Sequence, residues 1–142
     1  MDEEQARLLH LCIAKLMREL RLEPGMLAGS AYAGLHANDV ELFELLTQPG
    51  ANNVRAIAVA LGAPISTISS ALDRLEGEEL IRRIRIPTDR RMVCVELTPH
   101  GKRLATRLSN AHIRNCVVML SRLAPPERDD FVRLARQIAG LK

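Results

Sequence analysis

Two short apolar helical patterns, separated by a glycine, constrain the fold of this chain more than any other feature. Asn52 or Asn53 can cap the first pattern, which runs to Leu61 and is closed by Gly62. Pro64 stands in the first turn of the second pattern, a position that proline tolerates. The apolar positions of the second pattern share one helix face and are Ile68, Ala71, Leu72 and Leu75. This order predicts a helix-turn-helix unit.

Two stretches of alternating apolar residues follow and predict a β-hairpin with strands near 81–86 and 92–97. The predicted connection carries Asp89, Arg90 and Arg91 at its tip. Charges that keep an edge hairpin from aggregating would explain scattered arginines. Protection from aggregation does not readily explain two adjacent arginines beside one acid, so the tip is a candidate binding element.

The second helix of the unit and the hairpin together suggest DNA binding. Short hydroxyl side chains let a helix approach phosphates and base edges in the major groove, and a longer arginine reaches farther. The minor groove is only about 6 Å wide and concentrates negative potential, which favours an arginine on a protruding hairpin. We expect Asp89 to accept a hydrogen bond from one guanidinium while the other arginine projects. The candidate residues are Ser66, Thr67, Ser69, Ser70, Arg74, Asp89, Arg90 and Arg91. Together, the second helix and the hairpin predict a winged helix. The alternative is that the polar residues of the helix are ordinary solvent-exposed positions without a binding role.

The charge distribution supports a polyanionic partner. Residues 81–107 contain eight Arg and Lys residues and two acids, net +6, whereas the whole chain is +3 and the remainder is therefore −3. A solvated charged face is the alternative explanation. Nucleophile–base pairs, paired carboxylates and phosphate-binding glycine loops do not occur as motifs, so an enzyme is not expected. A winged helix that binds only protein would leave the basic segment without a polyanion.

Long amphipathic helical patterns flank the central module. Aromatic residues are 2% of the chain, so the core is aliphatic, which suits packed helices. The predicted fold is mainly α with a small β-hairpin wing. We assign residues 35–98 to a winged helix-turn-helix core and residues 1–34 and 99–142 to dimerisation helices. Because the terminal helices carry more apolar surface than the module can cover, a homodimer is expected.

Other partners are not expected from the sequence. No apolar run reaches the roughly 18–20 residues of a membrane span, and the first residues are acidic, so a cytoplasmic chain is predicted. Three widely spaced cysteines, Cys12, Cys94 and Cys116, predict neither a disulfide framework nor a cofactor. His112 and Cys116 can share a helix face, but zinc needs three or four converging ligands, so no metal site is predicted.

Four short motifs stand within residues 54–104, namely Ser66-Thr67-Ile68-Ser69, Asp73-Arg74-Leu75-Glu76, Asp89-Arg90-Arg91 and Leu97-Thr98-Pro99-His100-Gly101. With these motifs, the segment resembles the core of the MarR family of winged-helix transcription regulators. The resemblance implies a homodimer held by the first and last two helices, which binds a pseudo-palindromic operator with its wings in flanking minor grooves. It also implies a repressor released by a small molecule.

Some positions refine or depart from the family's pattern. Cys12 resembles in its placement the peroxide-sensing cysteine of the organic-hydroperoxide branch, which implies an oxidant as an alternative signal. That branch sets tyrosines beside the sulfur, and this chain has Tyr32 alone. Pro64 stands where the family usually has a capping serine, and Ser70 stands at a commonly basic position. Glu79 stands where the family's pattern has a glycine. The end of the second helix is therefore expected to differ in shape.

Overall fold

Six α-helices and one antiparallel β-hairpin make up the part of the chain that the computed structural model describes. That part is residues 2–20, 35, 37–48 and 52–141, with the backbone alone at 37, 38 and 90. The elements are α1 (Glu3–Leu20), α2 (Ala37–Thr47), α3 (Val54–Leu61), α4 (Ile65–Gly77), β1 (Ile81–Ile86), β2 (Asp89–Leu97), α5 (Pro99–Leu120) and α6 (Pro125–Ala139). The predicted fold class is confirmed. Tyr32 lies outside the described residues.

The chain divides into two compact units. One unit is residues 23–110 and contains α2, α3, α4, the hairpin and the first half of α5. The other unit combines residues 1–22 with residues 111–142. The sequence divided the chain by function, into a DNA-binding core and dimerisation helices. The two compact units do not test those functions, so the predicted division stays a prediction.

The aliphatic core lies in the unit of residues 23–110. In this unit α3 packs against α2 and α4, β1 packs against α4, and β2 packs against α2 and α3. The arrangement fixes α4 and the hairpin on one shared core. The largest fully buried apolar side chains are Leu42, Phe43, Ile57, Leu72, Leu75, Leu80, Ile81, Leu104 and Leu108.

The turn between α3 and α4 follows the sequence signals closely. Asn53 rather than Asn52 caps α3, because its side-chain oxygen accepts a hydrogen bond from the Ala56 N–H at 2.7 Å. Gly62 has φ 61°, a left-handed conformation that glycine adopts without steric cost. Pro64 is the residue before α4 and makes no side-chain capping bond, as its replacement of a serine implies.

The tip of the wing differs from the sequence prediction. Pro87 and Thr88 form the turn, and β2 begins at Asp89, three residues earlier than predicted. Asp89, Arg90 and Arg91 therefore belong to the second strand, so their placement at the tip is wrong. Proline supplies a fixed φ suited to a turn, and this signal outweighed the charge pattern.

A bulge follows directly after this turn. Arg85 pairs with Val93, whereas the next residue, Ile86, pairs with Asp89. Residues 90–92 consequently have no opposite residue on β1 in the described backbone. Bulges bend a strand and redirect its side chains. The two arginines of the motif thus lie in a bulge beside the tip.

Thr98 links the segment that precedes β1 to the start of α5 through hydrogen bonds. Its hydroxyl donates to the Glu79 carbonyl at 2.7 Å and accepts from the Gly101 N–H at 3.0 Å. Its own N–H donates to the Leu80 carbonyl at 3.1 Å. The Leu-Thr-x-x-Gly motif is therefore a helix cap that also fastens the end of α4 to the start of α5.

Glu79 carries backbone strain where the family's pattern has glycine. Its φ is 59°, in the left-handed region that costs a residue with a Cβ about 1–2 kcal/mol. The backbone thus keeps the conformation that a glycine favours. Replacement of the glycine by Glu79 therefore strains the backbone, whereas the sequence predicted a different shape for the end of α4.

The unit formed by the two ends of the chain has exposed apolar faces. Neither α1 nor α6 contains a buried residue. Ile138 is 85% exposed, Leu11 is 65% exposed and Leu8 is 63% exposed. Burying a side chain of this kind contributes about 1.5–3 kcal/mol, so these faces favour association. Within the unit, Arg122 pairs with Glu19 at 2.7 Å.

Candidate nucleic-acid interface

The outward face of α4 carries the predicted hydroxyl residues. Ser66, Thr67 and Ser70 are exposed, and Ser69 is half-buried. The helix presents only short polar side chains over its first two turns on this face, so another surface can approach its backbone closely. The side chains that anchor the opposite face in the core are Ile68, Leu72 and Leu75.

Arg74 is held differently from the hydroxyl residues. Its Nη2 donates to both carboxylate oxygens of Asp39, at 2.8 and 3.0 Å. Asp39 lies in α2 and is 1% exposed. The hydrogen bond to Asp39 raises the pKa of Arg74 above its usual value, although burial acts in the opposite direction. The pair ties α4 to α2, and a contact between Arg74 and DNA stays a prediction.

Asp89 shapes the start of the bulge. Its Oδ1 accepts a hydrogen bond from the Arg91 backbone N–H at 3.0 Å. The structure therefore gives Asp89 a backbone donor, whereas the sequence predicted a guanidinium. The Arg90 side chain lies outside the described part, so a bond from it to Asp89 stays untested. The Arg91 side chain is exposed.

The wing carries further cationic side chains on β1. Arg82 lies opposite Glu96 in the hairpin and forms an ion pair with it. Arg85 is exposed beside the bulge. Arg83 pairs with carboxylates of α4 and not with the neighbouring strand. Together with the bulge, these residues make the wing the basic element next to α4.

Residues 36–93, which contain α2, α3, α4 and most of the wing, match the family model of MarR. This segment is a MarR-family domain. The recognition made from the sequence motifs is thereby confirmed.

Curated relatives of the MarR-family domain are helix-turn-helix regulators. PecS from Dickeya dadantii, an HTH-type transcriptional regulator, is 34% identical over 97 residues, which are 66% of this chain and 58% of PecS. MgrA from Staphylococcus aureus, also an HTH-type transcriptional regulator, is 31% identical over 86 residues, which are 61% of this chain and 57% of MgrA. The chain thus spans little more than half the length of these relatives.

Solved structures show the same fold beyond the MarR-family domain. A MarR family protein from Bacillus stearothermophilus has a TM-score of 0.81 and 21% identity, with 99% of this chain and 96% of that chain covered. FabT from Streptococcus pneumoniae, solved in complex with DNA, has a TM-score of 0.76 and 18% identity, with 97% and 99% covered. The winged-helix fold with flanking helices is therefore shown.

Two residues that pair with α4 were missed by sequence reasoning. Asp39 and Arg83 both pair with side chains of α4, from α2 and β1 respectively. A charged residue among the apolar positions of α2 was the available signal for Asp39. Arg83 gave no such signal, because arginines occur at three of the six β1 positions.

The candidate signal-sensing residues lie on the helices outside the MarR-family domain. Cys12 and Cys116 are exposed, and His112 is half-buried. Within the described ranges, no three His, Cys, Asp or Glu side chains are grouped so that they could hold a metal ion. The role of Cys12 as an oxidant sensor stays a prediction.

The described helices were compared with the length and apolar composition that a membrane span requires. No single helix there is long and apolar enough to cross a membrane, and α3 with α4 meets the length and composition test only as a pair bent by 114°.

Proposed function

We propose that this chain is a DNA-binding transcriptional regulator that acts as a homodimer on a pseudo-palindromic operator. In each protomer α4 enters the major groove, and the wing of β1 and β2 reaches the adjacent minor groove. Each half-site is read by one protomer, so the two-fold symmetry of the protein matches that of the operator. The observation that carries the proposal is the exposed hydroxyl face of α4 beside a basic, bulged wing.

The local chemistry fits the two grooves in different ways. Ser66, Thr67 and Ser70 are short enough to let backbone and hydroxyl groups reach phosphates and base edges. The bulge projects Arg91 beside the turn, where a guanidinium gains from the negative potential of a narrow minor groove. Relatives named as transcriptional regulators and a structural neighbour solved with DNA support the same function.

A second copy of the chain is the partner that the terminal helices favour. The apolar stripes of α1 and α6 are exposed in the single chain, with Ile138, Leu11 and Leu8 among the most exposed residues. A symmetric dimer lets identical apolar faces cover one another. Dimerisation also places two copies of α4 on one duplex, which multiplies the affinity of either copy alone.

Release by a signal completes the proposed regulation. The bound protein represses transcription, and a small molecule or an oxidant reduces its affinity for the operator. The exposed thiol of Cys12 on α1 is a group that an oxidant can reach. Modification of Cys12 would add a polar group to the apolar face proposed for dimerisation.

Arg91→Ala is expected to weaken binding to the selected operator about tenfold, because a groove-bound guanidinium contributes roughly 1–3 kcal/mol. The duplex is first selected by the wild-type protein from a randomised pool, and affinity is then measured by fluorescence anisotropy. Sedimentation velocity is expected to give the mass of two chains for both proteins.

Arg133→Ala is the matched control, since it removes an equally charged, exposed side chain from α6. Its affinity for the same duplex should stay within about twofold of wild type. Equal affinities for the Arg91 variant, the control and the wild type would contradict the wing's role. A wild-type dimer that selects no duplex would instead favour a protein-binding module.

A further inference from the structure

The DNA-facing stripe of α4 includes a carboxylate. With about 100° of rotation per residue, Asp73 lies within about 20° of Ser66 and about 60° of Ser70 around the helix. Its side chain is 68% exposed. Glu76, one turn farther on, is 43% exposed. A helix that enters the major groove would thus bring two negative charges towards phosphates, and like charges at an interface oppose association.

Arg83 supplies the opposite charge from the wing. Its Nη2 donates to Asp73 Oδ1 at 2.7 Å, and its Nη1 lies 3.6 Å from Glu76 Oε2. Its side chain is 30% exposed, less than either carboxylate. One guanidinium on β1 therefore bridges both acids of α4 with its two terminal nitrogens, a fork geometry that lysine cannot reproduce.

We propose that Arg83 supports DNA binding through Asp73 and Glu76, because its single positive charge offsets part of the negative charge of these two carboxylates. The inference rests on the proposed function, because it concerns how that interface tolerates two carboxylates. Arg83 acts through the acids and makes no phosphate contact of its own.

The alternative role, a bridge that matters only for folding, makes a different prediction. Exposed ion pairs contribute little to stability, because solvent screens them and the side chains lose entropy. The melting temperature of Arg83→Gln is therefore expected to stay within about 3 °C of wild type. The effect on affinity should be much larger than this change in stability would suggest.

A double-mutant cycle separates indirect from direct action. Affinity for the duplex selected by the wild-type protein is measured for the wild type, Arg83→Gln, the double variant D73N/E76Q, and the triple variant. Arg83→Gln alone is expected to lose affinity on the order of tenfold, because both carboxylates then face the DNA without their cation. In the D73N/E76Q background the same change should cost less than about threefold.

The outcomes are distinct. An equal loss in both backgrounds would show that Arg83 contacts DNA directly, and it would overturn the proposal. An unchanged affinity of Arg83→Gln would do so as well. D73N/E76Q keeps Arg83 and should bind as tightly as wild type or tighter, so a loss there would also count against it. If the wild-type protein selects no duplex, the proposed function fails before this cycle begins.

Discussion

Gly101→Ala is expected to destabilise the protein by about 3 kcal/mol or more, because the added methyl group has no room. A Cβ at this position would lie 1.9 Å from the Leu80 carbonyl oxygen and 3.3 Å from Leu97 Cδ2. The Leu80 carbonyl is backbone and accepts the Thr98 N–H, so it cannot rotate away as a flexible side chain would. Relief requires α5 to move from the wing. Urea unfolding followed by circular dichroism measures the change.

Gly77→Ala is the matched control for this substitution. Gly77 is also the glycine of a helix, but a Cβ there would meet nothing within 4 Å. Because alanine has the higher helix propensity, this variant should be about 0.5–1 kcal/mol more stable than wild type. Opposite signs for the two substitutions are predicted. Similar stability of the Gly101 variant and wild type would show that the junction of wing and α5 is looser than described.

Arg74→Ala is expected to destabilise the protein by about 3 kcal/mol, since it removes the cation that faces a buried carboxylate. Asp39 is 1% exposed, so the helix pair α2 and α4 would keep a charge with little access to water. The Arg74 side chain is 33% exposed, so water can enter where the guanidinium was and limit the loss of stability. Thermal unfolding of the variant measures the change.

The loss of stability on Arg74→Ala can be compared with the loss caused by the same substitution in an exposed ion pair. Arg7 contacts Glu3 at 2.9 Å, but these side chains are 77% and 82% exposed, so Arg7→Ala should cost less than about 0.5 kcal/mol. Asp39→Asn combined with Arg74→Met should recover at least about 1 kcal/mol relative to Arg74→Ala, because no buried charge remains. An Arg74→Ala protein as stable as the Arg7 variant would refute the structural role of the pair.

Local signals in the sequence predicted the helix-turn-helix well. Asn53 caps α3 through its side chain, and Gly62 ends α3 in a left-handed conformation. The sequence predicted the glycine uniquely and narrowed the cap to Asn52 or Asn53. The apolar face of α4 follows from its period in the same way. These features depend on contacts within a few residues, which a sequence displays directly.

The wing was predicted less accurately because its register depends on two strands at once. A tip at Asp89 and a turn at Pro87 are both compatible with the alternation of apolar residues. The bulge of residues 90–92, opposite the step from Arg85 to Ile86, makes the turn at Pro87 compatible with the pairing of both strands, and no local motif marks it. The arginines were thus correctly assigned to the hairpin but not to their place within it.

Ion pairs across the fold could not be predicted from the sequence. Asp39 and Arg74 are 35 positions apart, and the sequence assigned Arg74 to the DNA-binding set without indicating a partner inside the protein. Arg83 lies ten positions from Asp73, in a different element. Charged residues show which surfaces are polar, but their partners emerge only when helices and strands are packed together.

Binding of duplex DNA over a range of salt concentrations tests the central claim most directly. If two wings and two α4 helices neutralise at least about six phosphates, log affinity should fall linearly with log salt, with a slope of about −5 or steeper. Protein that binds no duplex at low ionic strength, or binds with a slope near zero, would contradict the assignment of α4 and the wing as a DNA-binding surface.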